Sequence, residues 1–341
     1  MSEDIKQNTI PYYEDAIKLC HEVFSDKEEF LRYYFDVFLN NNSFFHIIKD
    51  DILASMLIAC NYKWRYQNKD IPFAYISYVC TKEDYRKQGL AEQLIKQTLQ
   101  ALYKQNYLLS GLISANEHLI TYYNKFSFAS CCSVEYKDFE RRYINNRLVD
   151  THILINNPDF LSLLSADKFE RYYKFNENAV VHSKQSLQHY LDDYYVRFGL
   201  VYNGFVVAFA VGIKYTDRIE LLFLKSINST YSEALLSHIC KKYKRYVHYP
   251  LYGKNAKNDS LQMLRIINAR KCLEYYAVKH SKEDFSIHII DDIIEENNIT
   301  VRIREGEVIN IDNSYKVKSI RIEELTEQLF DSGYMYLMLD R

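Results

Sequence analysis

Apolar side chains recur at helical spacing in the first forty residues. Ala16, Leu19, Cys20 and Val23 form one stripe, and Leu31, Tyr34, Phe35 and Phe38 form the next, so residues 12–40 are predicted helical. The pattern then turns to strands. Ser43–Lys49 and Ile52–Tyr62 flank an Asp50-Asp51 turn, and Phe73–Cys80 follows a turn at Asn68-Lys69-Asp70. These three strands are expected to form an antiparallel meander. From Gly89 to about Gln105 the helical period returns. Leu90, Leu94, Ile95, Thr98, Leu99 and Leu102 make its apolar face, and Glu92, Gln93, Lys96, Gln97 and Gln100 its polar face. A strand at Tyr107–Ser114, a short helix near Glu117–Phe126 and a strand from Phe128 complete an α/β unit.

From Arg141 the order partly repeats. Asp159–Arg171 and Leu187–Tyr195 are candidate helices. Val196–Tyr202 and Phe205–Ile213 are joined by Asn203-Gly204, a strong hairpin signal. Arg218–Leu224 is a further strand, and Thr230–Tyr243 is an amphipathic helix. The polar stretch Gly253–Ser260 reads as a linker. After it come an amphipathic segment (Met263–Tyr276) and strands at Phe285–Ile290, Thr300–Arg304, Val308–Ile311 and Tyr315–Ile320. A helix at Ile322–Phe330 and an apolar tail, Tyr334–Leu339, end the chain. The expected domains are 1–140, 141–255 and 256–341. The fold class is α/β and α+β: two mixed-sheet domains in tandem, then a smaller α+β domain.

Composition narrows the function. Basic residues number 43 against 45 acidic, which argues against a nucleic-acid surface. There is no apolar run long enough to span a bilayer, and the first residues lack the pattern of a signal peptide, so a cytoplasmic protein with no membrane partner is expected. The seven cysteines lack paired spacing, and the ten histidines lack H-x-x-x-H or H-E-x-x-H spacing; neither a disulfide framework nor a metal site is expected. With 32 tyrosines and only 8 glycines in the chain, a glycine carries more information than a tyrosine.

The first glycine is Gly89, where the strand ending at Cys80 gives way to the helix. A helix start offers unpaired N–H groups and positive potential, which suit a phosphate. Gly89 and the small Ala91 allow close approach, and Arg86 adds a cation. The segment Arg86–Ala91 therefore reads as a pyrophosphate-binding turn of pattern R-x-x-G-x-A. An ordinary basic strand-to-helix loop would share that pattern.

This arrangement resembles the GNAT acetyltransferases, whose R/Q-x-x-G-x-G/A turn carries the coenzyme A pyrophosphate. The resemblance implies acetyl-CoA as co-substrate. It implies pantetheine pairing along Tyr78, Val79 and Cys80, and phosphate contacts from Arg86, Lys87, Gln88, Gly89, Leu90 and Ala91. A backbone amide near Val79–Thr81 would polarise the thioester carbonyl. The segment Tyr122–Phe128 resembles the family's F-Y-x-x-x-G-F pattern, with Ser127 in place of the glycine. That implies Tyr123 as the acid that protonates the departing thiolate.

Over the whole length the chain looks like the enhanced-intracellular-survival type of acetyltransferase. In that type a second GNAT-like domain lacks the phosphate turn, here Lys225–Ser229 without a glycine, and a sterol-carrier-protein-like domain follows. Met263–Glu274 is similar to the helix that opens that domain, and Ile290–Asn298 to its aspartate-to-asparagine segment. The resemblance implies that the terminal carboxylate, here that of Arg341, acts as the base. It also implies a homo-oligomer of trimer or hexamer type. The acceptor would be a small-molecule or peptide primary amine of aminoglycoside, polyamine or lysine type. Glu28, Glu29 and Asp36 are candidate acceptor carboxylates by position, although a solvated helix face has the same pattern. The alternatives are a non-catalytic acyl-CoA sensor and a transferase that uses a larger donor.

Overall fold

The computed structural model describes residues 10–132, 134–140, 151–155, 178–181, 196–252, 261–312, 317–331, 333 and 335. In chain order they form α1 (Tyr13–Phe24), α2 (Glu28–Phe38), β1 (Phe44–Lys49), β2 (Ile52–Tyr66), β3 (Lys69–Thr81), α3 (Leu90–Lys104), β4 (Leu109–Ile113) and α4 (Glu117–Asn124). Next come β5 (Val134–Phe139), β6 (Thr151–Ile155), β7 (Ala179–Val181), β8 (Val196–Tyr202), β9 (Phe205–Lys214), β10 (Arg218–Ser226), α5 (Ser229–Tyr243) and β11 (Tyr246–Tyr252). The rest is β12 (Gln262–Ile266), α6 (Ala269–Lys279), β13 (Asp284–Ile290), β14 (Thr300–Arg304), β15 (Glu307–Asn310), β16 (Lys318–Arg321) and α7 (Ile322–Phe330). The chain divides into two compact units: Met1–Cys132 with Leu261–Asp331, and Ser133–Ser260 with Ser332–Leu339.

In the first unit the strands lie in the order β1-β2-β3-β4-β12. The meander β1-β2-β3 is antiparallel, β3 and β4 run parallel, and β12 closes antiparallel on β4. The β1–β2 turn holds Asp50 at φ 51 and Asp51 at φ 59, the pair of left-handed residues that a tight two-residue hairpin requires. One sheet face carries Leu57, Ala59, Ala74 and Ile76. These pack against Leu94, Ile95, Leu99 and Leu102 of α3 and Tyr123 of α4. The opposite face carries Tyr62, Trp64 and Tyr66, all buried, and Phe330 of α7 stands against the rings of Trp64 and Tyr66. At ~25 cal/mol per Å² of apolar area, these two faces supply the main driving force for this unit.

Met263–Glu274, expected to resemble an entry helix, is not helical throughout. Its first half is β12, which pairs with β4 from Gln262↔Ile113 to Ile266↔Leu109, and Leu264 also bridges to Ala129. Every residue of β12 is buried, the polar Gln262 and Arg265 included, so the run lacks the alternation that separates strand from helix. Only α6 is helical. This strand also accounts for residues 261–331, which fall within the expected domain 256–341, grouping with the first unit. The strand expected from Phe128 begins with the isolated Ala129 bridge, and regular pairing starts at Val134 as β5. Beyond α6, strands lie in the order β15-β14-β13-β16, with β13 and β16 parallel.

The second unit has strands in the order β5-β11-β10-β9-β8-β6. Within it, β8-β9-β10 is an antiparallel meander, β10 and β11 are parallel, α5 is the crossover, and β5 closes antiparallel on β11. That is the connectivity of β1-β2-β3-α3-β4-β12, with the closing strand supplied from the N-terminal side. The turn Asn203-Gly204 takes the expected left-handed pair, φ 50 and φ 76. The candidate helices at 159–171 and 187–195 and the linker at 253–260 lie outside the described residues.

Candidate active site

The two parallel strands of the first sheet part company. Phe73, Ala74 and Tyr75 of β3 pair with Leu109, Ser110 and Gly111 of β4. Beyond Tyr75 the strand runs on to Thr81, still paired to β2 as far as Ser55↔Thr81, while β4 stays paired to β12 up to Ile113↔Gln262. A crevice therefore opens between the C-terminal ends of β3 and β4. In open α/β sheets such a divergence is where ligands bind.

A bulge sharpens this edge. Ile58 pairs with Ser77 and Met56 with Cys80, so Tyr78 and Val79 together face the one residue Leu57. Tyr78 sits at φ 49, left-handed for a bulky side chain. The bulge breaks the strict alternation of the strand just where the resemblance implies the thioester. The Tyr78 ring stands edge-on to Phe24, Tyr34 and Phe35, with centroids 5.3, 5.0 and 5.9 Å away. Its hydroxyl donates to Asp26 Oδ2 at 3.0 Å, and the Tyr34 hydroxyl donates to Ser77 Oγ at 2.8 Å. These bonds hold the strained residue in place from α1, α2 and their connection. Cys80, which carries no nucleophilic role in the resemblance, is buried.

At the mouth of the crevice lies the Arg86–Ala91 turn. Thr81 ends β3, one 3₁₀ turn spans Glu83–Tyr85, and Arg86 Nε donates to the Thr81 carbonyl at 3.1 Å. Lys87 and Gly89 both take left-handed backbones, φ 60 and φ 75. The first bond inside α3 runs from Gln93 N to Gly89 O at 3.0 Å, and Gly89 offers no side-chain cap. The N–H groups of Leu90, Ala91 and Glu92 are therefore presented at the helix start without an intrahelical acceptor. Arg86, Lys87, Gln88 and Gly89 are exposed, whereas Leu90 is buried in the core as the anchor of the turn.

A Cβ on Gly89 would meet nothing within 4 Å, so the glycine answers to the left-handed backbone, not to the fold's own packing. Gly89→Ala is expected to destabilise the chain by about 1–2 kcal/mol, the cost of a left-handed non-glycine residue. It should weaken coenzyme A binding further. Chemical denaturation and titration calorimetry on the same variant separate the two effects.

The start of α5 in the second unit is built differently. Asn228 accepts from Tyr231 N at 3.1 Å, and Ser226 donates to the Asn228 carbonyl at 2.7 Å. The helix start is thus occupied by its own side chains. The missing glycine in Lys225–Ser229 has this structural counterpart.

Tyr123 lies on α4, which leaves the C-terminal end of β4 and so forms the other lip of the crevice. It is 9% exposed, and its ring stands edge-on to Tyr122 and Phe128. Burial, with a smaller contribution from Tyr122, pushes its hydroxyl up to about 12. Val79 packs against the cluster that contains Tyr123. Ser127 takes φ 58, the left-handed backbone that the glycine of the family pattern would adopt freely. The departure at Ser127 therefore leaves the local turn intact, with Ser127 N bonded to Asn124 O at 2.9 Å.

The structure thus places Tyr78, Val79 and Cys80 on one lip, Arg86 to Ala91 at the mouth, and Tyr123 on the other lip. Arg341 lies outside the described residues. Glu28 is spent on Arg32, which it meets at 2.7 Å, and Asp36 accepts from Tyr13 at 2.6 Å. The carboxylate that faces the bulge is Asp26, outside the Glu28, Glu29 and Asp36 set on α2.

Residues 4–131 match the family model described as an acetyltransferase (GNAT) domain. The fold is similar to that of a probable N-acyltransferase from Enterococcus faecalis, a conserved protein of unknown function. The TM-score is 0.75 and the identity 16%, over 93% of this chain and 86% of that one. It is similar to a GCN5-related N-acetyltransferase from Kribbella flavida, at TM-score 0.73 and 14% identity over 96% and 95%. It is also similar to Eis1 from Mycobacterium abscessus, at TM-score 0.66 and 12% identity over 93% and 86%. No curated protein matches the sequence. Residues 4–131 are thus the domain of an acyltransferase. That match covers the first part of the chain, and over the full length the fold is similar to that of Eis1.

Among the described residues no helix is long and apolar enough to cross a membrane.

Proposed function

We propose that the chain transfers an acetyl group from acetyl-CoA to a primary amine by direct attack. The single observation that carries this reading is the crevice between β3 and β4 with an uncapped, glycine-containing helix start at its mouth. Pantetheine would lie along the bulged edge at Tyr78–Cys80, and the pyrophosphate would rest on the Arg86–Ala91 turn. The amine nitrogen attacks the thioester carbonyl carbon, the carbon–sulfur bond breaks, and Tyr123 gives its phenolic proton to the sulfur. The amine proton leaves to solvent or to a base. Held side by side, the two substrates react as though at very high concentration.

The acceptor is an aminoglycoside-, polyamine- or lysine-type amine. Support comes from the surroundings of the bulge: the Asp26 carboxylate and the Phe24, Tyr34 and Phe35 rings. Carboxylate and aromatic faces together favour a cation. The last four strands with α6 and α7 are the part read as sterol-carrier-like, and a homo-oligomer belongs to the same reading.

The test is thiol release from acetyl-CoA across spermidine, an aminoglycoside and a lysine-containing peptide. Release with one class supports the transferase. Acetyl-CoA binding with no release from any amine would favour a sensor instead. Because α5 caps its own start, calorimetry should show one coenzyme A per chain; two equivalent sites would contradict the reading of the second unit.

A further inference from the structure

The tip of the β1–β2 hairpin reaches the phosphate-binding turn from outside the turn's own sequence. Lys49, the last residue of β1, donates from Nζ to Gln88 Oε1 at 3.2 Å. Gln88 is in turn tied to the Asp84 carbonyl through Nε2 at 3.3 Å. The next hairpin residue, Asp50, accepts from the Tyr85 hydroxyl at 3.3 Å. Two side-chain bridges therefore run from the hairpin to the loop, 39 and 35 residues away in sequence. Gln88 lies between Lys87 and Gly89, the two left-handed residues of the turn.

The chemistry of the Lys49 contact is informative. Asp50, Asp51, Glu83 and Asp84 all lie on the two segments that meet here. Lys49 is nevertheless paired with a neutral amide, and among the described residues no ion pair of Lys49 is formed. A solvent-accessible ammonium is held at the rim of a turn whose backbone N–H groups suit an anion. Its charge is not neutralised by a carboxylate contact.

We propose that Lys49 is a donor-recognition residue: it supplies a cation to the phosphates at the nucleotide end of acyl-CoA, alongside Arg86 and Lys87. This rests on the acyl-CoA reading above. Lys49 has no part in the acyl transfer itself, so its effect is confined to donor affinity. A lysine serves here as a compact, hydrated point charge, which makes the contact sensitive to salt.

The experiment is calorimetric titration of wild type, Lys49→Gln and Lys49→Arg with coenzyme A, and with pantetheine, which lacks the phosphates. Lys49→Gln is expected to weaken coenzyme A binding about 3- to 10-fold in low salt. The difference should shrink in 0.5 M salt, where screening weakens an exposed charge–phosphate contact. Lys49→Arg should restore most of the affinity, and pantetheine should bind all three proteins alike. Equal coenzyme A affinity in Lys49→Gln and wild type would overturn the proposal while leaving the acyl-CoA reading in place. An equal loss for pantetheine would also overturn it, because the change would then act on the Tyr78–Cys80 edge rather than on the phosphates. Failure of wild type to bind coenzyme A would bring down the acyl-CoA reading itself, and this inference with it.

Discussion

Tyr123→Phe is expected to lower kcat about 10²- to 10⁴-fold, the usual contribution of a positioned general acid. Affinity for acetyl-CoA should change little. The substitution keeps the ring, which packs in the core between Tyr122 and Phe128, and removes only the hydroxyl. Stability should therefore be close to that of wild type, and the loss can be assigned to chemistry. Steady-state thiol release with the best amine measures it. Unchanged turnover would mean that the sulfur takes its proton from another donor, with the half-buried Tyr122 the first to examine.

The pH dependence follows from burial. With its hydroxyl pushed up to about 12, Tyr123 remains a neutral proton donor throughout the range where an amine becomes a nucleophile. Rates should rise with pH as the acceptor deprotonates. No alkaline fall caused by Tyr123 is expected below about pH 11. The same shift links to stability with a definite sign. The phenol ionises near 10 in the unfolded chain. Its contribution to folding is therefore complete below pH 10 and is lost as pH rises from there through 12. Tyr123→Phe should remove that alkaline loss, which denaturant titrations at pH 9 and pH 11 would detect.

Local chemistry made much of this fold legible. Asp50-Asp51 and Asn203-Gly204 announce their hairpins because few other residues accept paired left-handed backbones. The apolar stripe of α3 is buried residue for residue, from Leu90 to Leu102. The phosphate turn was legible because glycine is rare in this chain, so Gly89 stood out. The bulge at Tyr78 was not legible. A left-handed tyrosine has no sequence signature, and its conformation is held by Asp26, Tyr34 and Phe24, which are distant in sequence. The strand β12 was also hidden, because Gln262–Ile266 is buried on both sides and lacks alternation. Lys49 and Gln88 could not be linked by any pattern, since only the hairpin turn brings them together.

The second large effect is expected at a buried ion pair. Arg265 of β12 and Asp291, which follows β13, meet at 2.8 Å with both side chains fully excluded from solvent. Asp291 also accepts from the backbone N–H groups of Ile293 and Ile294 and from Asn297 Nδ2 at 2.9 Å. Asn297 reaches back to the Ile267 carbonyl and to Ala269 N. The network thus ties the strand that closes the first sheet to the segment that carries Ile293 and Ile294 into the α3 core. Burial pushes the Asp291 carboxyl up, but the Arg265 guanidinium and these hydrogen bonds outweigh it and leave it below the usual range. The stability it provides is present above about pH 4, the unfolded value, and is lost as pH falls through the lower folded value.

Asp291→Ala should cost about 3–5 kcal/mol, because it strands a buried guanidinium as well as three donors. Arg265 Nε has no partner and Nη1 keeps only the Ile266 carbonyl, so the guanidinium would be left with one neutral acceptor. The double variant Arg265→Met with Asp291→Leu should be less damaging than Asp291→Ala alone, since it removes the buried charge along with its partner. Urea denaturation of the three proteins tests this ordering. A single variant within 1 kcal/mol of wild type, or a double variant worse than the single, would show that the pair does not hold β12 in the sheet.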